Sequence, residues 1–176
     1  MLRRGGRHEE TPPPAGPHHY QMRERLISVG GDYNVEDEAG QRAFHIDGKA
    51  LRVRHTLKFQ DAQGRDIYEI QERIARVRES MAITRGNQKV AEVNKAMITP
   101  LRDRLEVNME GGPDMTVQGN LLDHEYEITQ DGRLPIATVS KRWFRVRDTY
   151  GVEVTPGQDA ALILAITVCV DAMLQD

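Results

Sequence analysis

The amino-acid sequence predicts an all-β fold, a twelve-stranded antiparallel closed barrel wrapped around a central apolar C-terminal helix. Three observations predict this architecture. Short runs with the alternation of β-strands fill the middle of the chain, the turns between them recur at a regular spacing, and the last segment is apolar on every face. The barrel supplies the surroundings that such a helix requires, and the helix supplies the core that the barrel lacks.

The strand prediction comes from apolar and aromatic residues that alternate with polar residues between positions 21 and 155. In one such run, Tyr68 and Ile70 flank Glu69, which is the period of a half-buried strand. No stretch in this part of the chain sustains a helical period. Candidate strands lie at 22–29, 33–37, 41–47, 56–61, 66–73, 79–85, 88–97, 103–109, 115–119, 123–130, 134–142 and 147–154.

The turn glycines recur at a nearly constant interval, and so does a second, arginine-rich signature. Steps of 24, 22, 25 and 21 residues separate Gly40, Gly64, Gly86, Gly111 and Gly132. Steps of 24, 24, 22 and 23 residues separate Arg54, Arg78, Arg102, His124 and Arg147. A regular period of this length marks a repeated supersecondary unit, which here is a hairpin of two strands.

The segment 160–170 contains no charged residue, and its only polar side chains are Thr167 and Cys169. Thr155 as N-cap, Pro156 at the first helical position and Gln158 in a capping box predict a helix over about 157–174. A buried strand is the alternative, but strands rarely exceed about 10 residues. A transmembrane span needs roughly 20 apolar residues, and Asp171 ends this run too early.

The predicted number of strands is consistent with a helix inside the barrel. Twelve strands in one sheet are expected to close, because closure removes the two unpaired edges. Side chains alone fill a barrel of about eight strands. A larger barrel has room for a helix, which is about 10–12 Å across.

Composition predicts one ordinary soluble domain. The 176 residues include 24 Lys and Arg against 27 Asp and Glu, and a net charge of −3 argues against nucleic acid as a partner. A single cysteine, Cys169, excludes an intramolecular disulfide framework and is expected to be a small buried hydrophobe. Residues 1–19 are rich in Pro and Gly and have no apolar signal region. We therefore expect a disordered tail over 1–19, a domain over 20–176 and a cytoplasmic location.

Several stretches together resemble the LURP-one-related family, which belongs with the tubby C-terminal domains and the phospholipid scramblases. They are YQMRERLISVGGDYNVEDEAGQRAFHIDGKALRVR from Tyr20, TPLRDRLEV at 99–107, QGNLLDHEYEI at 118–128, SKRWFRVRDTYGVEV at 140–154 and the closing apolar helix. The resemblance implies a tubby C-terminal-like barrel around a central helix. For function the resemblance implies little: tubby domains bind phosphoinositide headgroups through basic surface residues, but no motif transfers those residues to this chain by position. Unlike scramblases, this chain has no cysteine cluster and no predicted membrane span, so any membrane contact is expected to be peripheral.

Arginines are predicted to gather at one rim of the barrel, because every second connection of a meander lies at the same end. Arginine matches phosphate and carboxylate geometry, so this rim is a candidate site for an anion or a lipid headgroup. The candidate residues are Arg52, Arg54, Arg76, Arg78, Arg102, Arg104, Arg145 and Arg147. Two other roles remain open, since these side chains could face solvent or pair with acidic groups. Those groups are Asp103, Asp123, Asp148, Asp171 and Asp176.

The sequence favours a non-enzymatic binding or scaffold domain whose partner is an anionic phospholipid surface or an acidic protein. The alternative is a small-ligand carrier or enzyme with a pocket at a barrel mouth. No phosphate-binding glycine loop, nucleophile elbow or cysteine pair predicts a catalytic residue, cofactor or metal. His124 lies between Asp123 and Glu125, but on the predicted strand these neighbours point to opposite faces and form no site.

Overall fold

The computed structural model describes residues 16–23, 33–48, 56–74, 79–96, 103–143 and 149–174. It confirms the predicted closed barrel of twelve antiparallel strands, each paired with its neighbours in the sequence. A short 3-10 turn, Lys141–Trp143, follows the eleventh strand. The strands are β1 (His18–Arg23), β2 (Tyr33–Glu36), β3 (Arg42–Asp47), β4 (Thr56–Asp61), β5 (Asp66–Ile74), β6 (Glu79–Arg85), β7 (Gln88–Lys95), β8 (Asp103–Met109), β9 (Met115–Asn120), β10 (Glu125–Gln130), β11 (Pro135–Ser140) and β12 (Thr149–Val154).

The first and last strands close the barrel. β1 pairs with β12 from His18 opposite Val154 to Arg23 opposite Thr149, and it pairs with β2 through Gln21 opposite Glu36. Closure leaves no strand edge available for pairing with another chain.

Most predicted strand bounds agree with the structure, and three agree at both ends: 56–61, 79–85 and 103–109. β1 differs most, because it begins at His18 rather than at residue 22. It therefore starts two residues before the predicted domain boundary at Tyr20. Residues 1–15 lie outside the described part of the chain, and the predicted tail stays a prediction.

Alternate side chains of the strands point into the barrel and form its core. On β4, for example, Leu57 and Phe59 are fully buried, whereas Lys58 between them is partly exposed. The same alternation on β8 buries Leu105 and Val107. This pattern makes one continuous apolar core that includes residues of the helix.

The helix α1 (Ala160–Met173) lies in the centre of this core, and its residues from Leu162 to Asp171 are all buried. Its one internal hydroxyl is satisfied within the helix, since Thr167 Oγ1 donates to the carbonyl of Ile163 at 3.0 Å. Cys169 is free and fully buried, as the sequence predicted, and burial raises the pKa of its thiol.

The predicted start of the helix was wrong. Asp159 is the N-cap, and its carboxylate accepts the N–H of Leu162 at 3.1 Å. Thr155 instead donates its hydroxyl to the carbonyl of Pro135 at 3.3 Å. Gly157 has a φ of +86°, a left-handed conformation that no α-helix accommodates, so the helix can begin only after it.

Candidate functional site

The barrel has two chemically different ends, because consecutive connections alternate between them. We call one the basic end, where the connections 24–32, 48–55, 75–78, 96–102, 121–124 and 141–148 join the strands. We call the other the acidic end, where the connections are 37–41, 62–65, 86–87, 110–114, 131–134 and 155–159. α1 enters the barrel from the acidic end and finishes beneath the basic end.

The sequences of these connections carry opposite charge. Those of the basic end contain eleven basic and four acidic residues, and those of the acidic end contain two basic and six acidic residues. The net formal charge is therefore +7 in one set and −4 in the other. The eleven basic residues are Arg25, Lys49, Arg52, Arg54, Arg76, Arg78, Arg102, Lys141, Arg142, Arg145 and Arg147.

Of the eight arginines predicted to form a rim, the structure describes one. Arg104 is exposed at the start of β8, opposite Gln118 of β9. Its neighbour Leu105 faces the core, so the Arg104 side chain lies on the outer surface, close to the basic end. The others lie outside the described residues: Arg52, Arg54, Arg76, Arg78, Arg102, Arg145 and Arg147.

Two acidic residues beside the basic end have partners in the described part of the chain. Glu79, at the start of β6, forms an ion pair with Lys95 at the end of β7. Glu125 accepts hydrogen bonds from Ser140 Oγ at 2.9 Å and from the N–H of Lys141 at 3.1 Å. Arg142 lies 3.8 Å from the same carboxylate, and its side chain is 84% exposed.

A buried polar cluster lies directly beneath the basic end, where α1 finishes. Asp171 is 2% exposed, and its carboxylate contacts two side chains from the barrel wall. His124 Nε2 lies 2.9 Å from Oδ1, and the Tyr150 hydroxyl donates to Oδ2 at 2.5 Å. The imidazole stacks on the Tyr150 ring with a centroid separation of 4.2 Å. We call these three residues the helix anchor, because they connect α1 to two separate parts of the barrel.

The position of His124 corrects the sequence analysis. We expected it on a strand, but β10 begins one residue later and His124 closes a turn with a φ of +52°. Its N–H donates to the carbonyl of Leu121 at 3.2 Å. This left-handed backbone turns the imidazole inward, whereas strand alternation takes no account of such a conformation. Asp123, its neighbour, faces outward and is hydrogen-bonded to Asn120 at 2.6 Å.

The helix anchor is closed to solvent, which argues for a structural role. The His124 and Asp171 side chains are 11% and 1% exposed. Nearby, the Tyr126 phenol is buried close to Thr167, and burial together with the Asp171 charge raises its pKa well above 10.0. Burial of both side chains favours a role in holding α1 over proton transfer to a substrate.

At the acidic end, α1 is held by a more open network. The Tyr68 hydroxyl donates to Asp159 Oδ2 at 3.1 Å and accepts from Arg85 Nη2 at 2.5 Å. The Arg85 guanidinium also lies over the Tyr68 ring, 5.0 Å from its centroid. Burial and the Asp159 charge raise the pKa of Tyr68, so its hydroxyl remains a donor. The Asp159 side chain is 49% exposed.

Sequence reasoning missed the helix anchor, although two signals pointed to it. Asp171 is the first charge after the apolar run, and a carboxylate that follows buried residues needs a partner. His124 occupies the position at which the other repeats have arginine. Together these features marked a histidine and a carboxylate as exceptions to their local patterns.

The described part of the chain has neither a cluster of metal-binding side chains nor a helix that could cross a membrane. Among residues that the structure describes, no three His, Cys, Asp or Glu side chains are grouped closely enough to hold a metal ion. No helix in the same part of the chain is long and apolar enough to span a membrane.

Comparison with known proteins agrees with the fold. The family model described as LURP-one-related matches residues 18–171. A Bacillus subtilis (strain 168) protein, the uncharacterized protein YxjI, is 23% identical over 153 residues, which cover 87% of this chain and 91% of that protein. The X-ray structure of an Arabidopsis thaliana protein superposes with a TM-score of 0.69 at 15% identity, covering 92% of this chain and 94% of the other. At that identity the structural likeness shows the fold alone.

Proposed function

The chain belongs to the LURP-one-related family, and from that premise we propose that its barrel is a non-enzymatic binding domain that contacts anionic phospholipid headgroups through its basic end. One observation carries the proposal. The connections of the basic end have a net formal charge of +7, and those of the opposite end have −4. A chain with an overall charge of only −3 thus has a strong charge difference along the barrel axis.

Such a charge difference orients a protein at a negative surface. Each Lys or Arg close to an anionic membrane contributes about 1 kcal/mol, and the contribution falls off within a Debye length. Several basic residues acting together are therefore enough for reversible binding. The acidic end is repelled by the same surface, so the barrel axis stands roughly along the membrane normal.

The occupied lumen supports binding at the surface rather than a reaction inside the barrel. α1 fills the centre, and its residues 162–171 pack against the inward side chains of the strands. A carrier or enzyme would need a cavity for its ligand in that space. Binding of a headgroup by charged side chains at the barrel surface needs no such cavity.

Cosedimentation with lipid vesicles tests this proposal. The protein is mixed with phosphatidylcholine vesicles, with or without phosphatidylserine, at low and at physiological salt. We expect it to pellet only with the phosphatidylserine vesicles and more weakly at physiological salt, where exposed charges are screened. A variant with Arg52, Arg54, Arg76 and Arg78 changed to Gln should lose this binding.

A matched variant removes the same number of charges from around the acidic end. Arg42, Arg65, Lys89 and Arg133 lie on connections or strand ends there, and changing all four to Gln should leave vesicle binding unchanged. The ion pairs that Arg65 and Lys89 form lie near the surface, so the fold should tolerate their loss. Equal loss in both variants, or no pelleting of the wild type at low salt, would contradict the proposal and favour an acidic protein partner.

A further inference from the structure

Three large apolar side chains are exposed in the described part of the chain. They are Leu122 at 66%, Leu134 at 85% and Trp143 at 39%. Leu122 and Trp143 belong to connections of the basic end, whereas Leu134 belongs to the acidic end. Single exposed apolar residues are common, so exposure alone does not indicate a function. Leu122 combines this exposure with a position in the turn 121–124 of the basic end.

The turn that carries Leu122 is braced on both sides. Leu121 before it is 1% exposed, and His124 after it is fixed by Asp171 of α1. Asn120 accepts the N–H of Asp123 at 3.1 Å across the same turn. The barrel therefore presents Leu122 on a preorganised support, and little conformational entropy remains to be lost when it contacts a partner.

Trp143 lies in the neighbouring connection, after Lys141 and Arg142. Its ring packs edge-on against His19 of β1, with centroids 5.7 Å apart. The N–H of His19 donates to Glu38 of the connection 37–41 at 3.1 Å, so the Trp143 ring lies on the outer wall of the barrel towards the acidic end. Of the three exposed apolar side chains, Leu122 is therefore the one that the basic end presents.

We propose that Leu122 is an apolar anchor that enters the outer hydrocarbon region of an anionic membrane. This inference rests on the proposed function and specifies how the basic end contacts the bilayer. The charge of that end selects the partner, because an anionic membrane complements the net +7 of its connections and offers an apolar phase beneath its headgroups.

The structure provides a matched control for Leu122. Leu134 is more exposed than Leu122 but lies between Arg133 and Pro135, in a connection of the acidic end. A membrane bound by the basic end cannot reach it. Leu122→Ser and Leu134→Ser therefore remove the same side chain from opposite ends of the barrel.

The first measurement compares the binding of these two variants to phosphatidylserine-containing vesicles. We expect Leu122→Ser to bind about tenfold more weakly than the wild type, since an apolar side chain no longer leaves water. Leu134→Ser should bind like the wild type. Both side chains are exposed, so both variants should melt like the wild type, and a melting curve checks this for each.

The second measurement places an environment-sensitive fluorophore at either position through Leu122→Cys or Leu134→Cys. Labelling is selective because Cys169 is buried, which also raises the pKa of its thiol. With phosphatidylserine vesicles, the label at position 122 should shift its emission to the blue, and the label at 134 should not change.

The outcomes separate this inference from the function on which it rests. If the wild type binds, the two serine variants bind with equal affinity and the label at position 122 shows no shift, then Leu122 does not enter the membrane. Headgroup binding would remain intact. Absence of wild-type binding would overturn both. A blue shift at 122 together with weaker binding of Leu122→Ser would support both.

Discussion

At the acidic end, α1 begins with a carboxylate whose side chain is 49% exposed. At the basic end, it finishes with a carboxylate whose side chain is 1% exposed. Asp159 lies where the helix dipole favours negative charge, whereas Asp171 lies in the last turn, where the dipole opposes it. The first carboxylate can be satisfied by the N–H groups of the helix start. The second depends on the barrel wall, which is why the helix anchor lies at that end.

The two ends also differ in how far solvent reaches the polar groups that hold α1. The acidic end has open turns and a network that solvent reaches, whereas the basic end has a closed polar cluster directly under its connections. This cluster directly supports the turn 121–124 of the basic end, because His124 closes that turn and contacts Asp171. Preorganised support of this kind is what a binding surface requires.

The largest loss of stability is expected from a substitution between the two ends, where α1 is apolar on all sides. Leu164→Asp should abolish folding, because Leu164 is 0% exposed and an unpaired charge there has no solvent or partner. Circular dichroism and a dispersed NMR spectrum measure this outcome. Leu134→Asp, at a position that is 85% exposed, is the control and should remain folded. A soluble, well-folded Leu164→Asp protein would contradict the central position of the helix.

Removing one carboxylate from each end of α1 tests the comparison directly. Asp171→Ala should lower the free energy of unfolding by about 3–5 kcal/mol, because it removes the buried carboxylate that both His124 and the Tyr150 hydroxyl contact, and each hydrogen bond to a charged group contributes about 1.5–3 kcal/mol. Asp159→Ala should lower it by about 0.5–2 kcal/mol, the usual cost of losing an N-cap. Urea unfolding of both variants measures the difference. Similar losses in the free energy of unfolding would mean that the helix anchor contributes no more to stability than an exposed N-cap.

Glycines at the two ends should respond differently to the same substitution. A Cβ on Gly119 would lie 2.5 Å from the carbonyl oxygen of Glu125 and 2.7 Å from Cα of Tyr126. A Cβ on Gly86, in the β6–β7 turn, would meet nothing within 4 Å. Both have positive φ, so both alanine variants carry backbone strain. Gly119→Ala should cost about 1–3 kcal/mol more than Gly86→Ala by urea unfolding, because it also overpacks.

The fold could be predicted from sequence because its signals are local. Alternation of apolar residues, turn glycines and an apolar run each act within a few residues, and they predicted the strands of the barrel and the central helix. The start of the helix could not be chosen reliably, because Thr155 and Asp159 are both good caps. The left-handed conformation of Gly157 decides between them, and a glycine in a sequence permits that conformation without requiring it.

The sequence marked His124 and Asp171 as exceptions to their local patterns, but their contact could not be predicted, because they lie 47 positions apart. Its geometry depends on the backbone conformation of His124, which alternation does not encode. The arginine rim is a different case. The repeat predicts that the arginines recur at one end, and Arg104 is the member that the structure describes, exposed near that end. The role of the rim stays a prediction for the vesicle experiments.

The smallest expected effect on stability concerns Asp61, a partly exposed carboxylate at the acidic end. Asp61 Oδ1 accepts the N–H groups of Arg65 and Gln63, each at 2.9 Å, and Oδ2 accepts from Arg65 Nε at 2.6 Å. These hydrogen bonds, that from the Arg65 N–H above all, hold the pKa of Asp61 below its ordinary value of 3.8. The charged form therefore favours the folded state.

The sign of the pH dependence follows from that direction. A carboxyl whose pKa is lower in the folded state stabilises the protein above its unfolded pKa, and the stabilisation is lost as the pH falls through the folded pKa. Asp61→Asn keeps an acceptor oxygen but has no charge. It should be slightly less stable than the wild type at neutral pH, and the difference should shrink at about pH 3. Asp61→Ala, which also lacks the acceptor, should be less stable at both pH values, and urea unfolding of the three proteins distinguishes the contribution of charge from that of the turn.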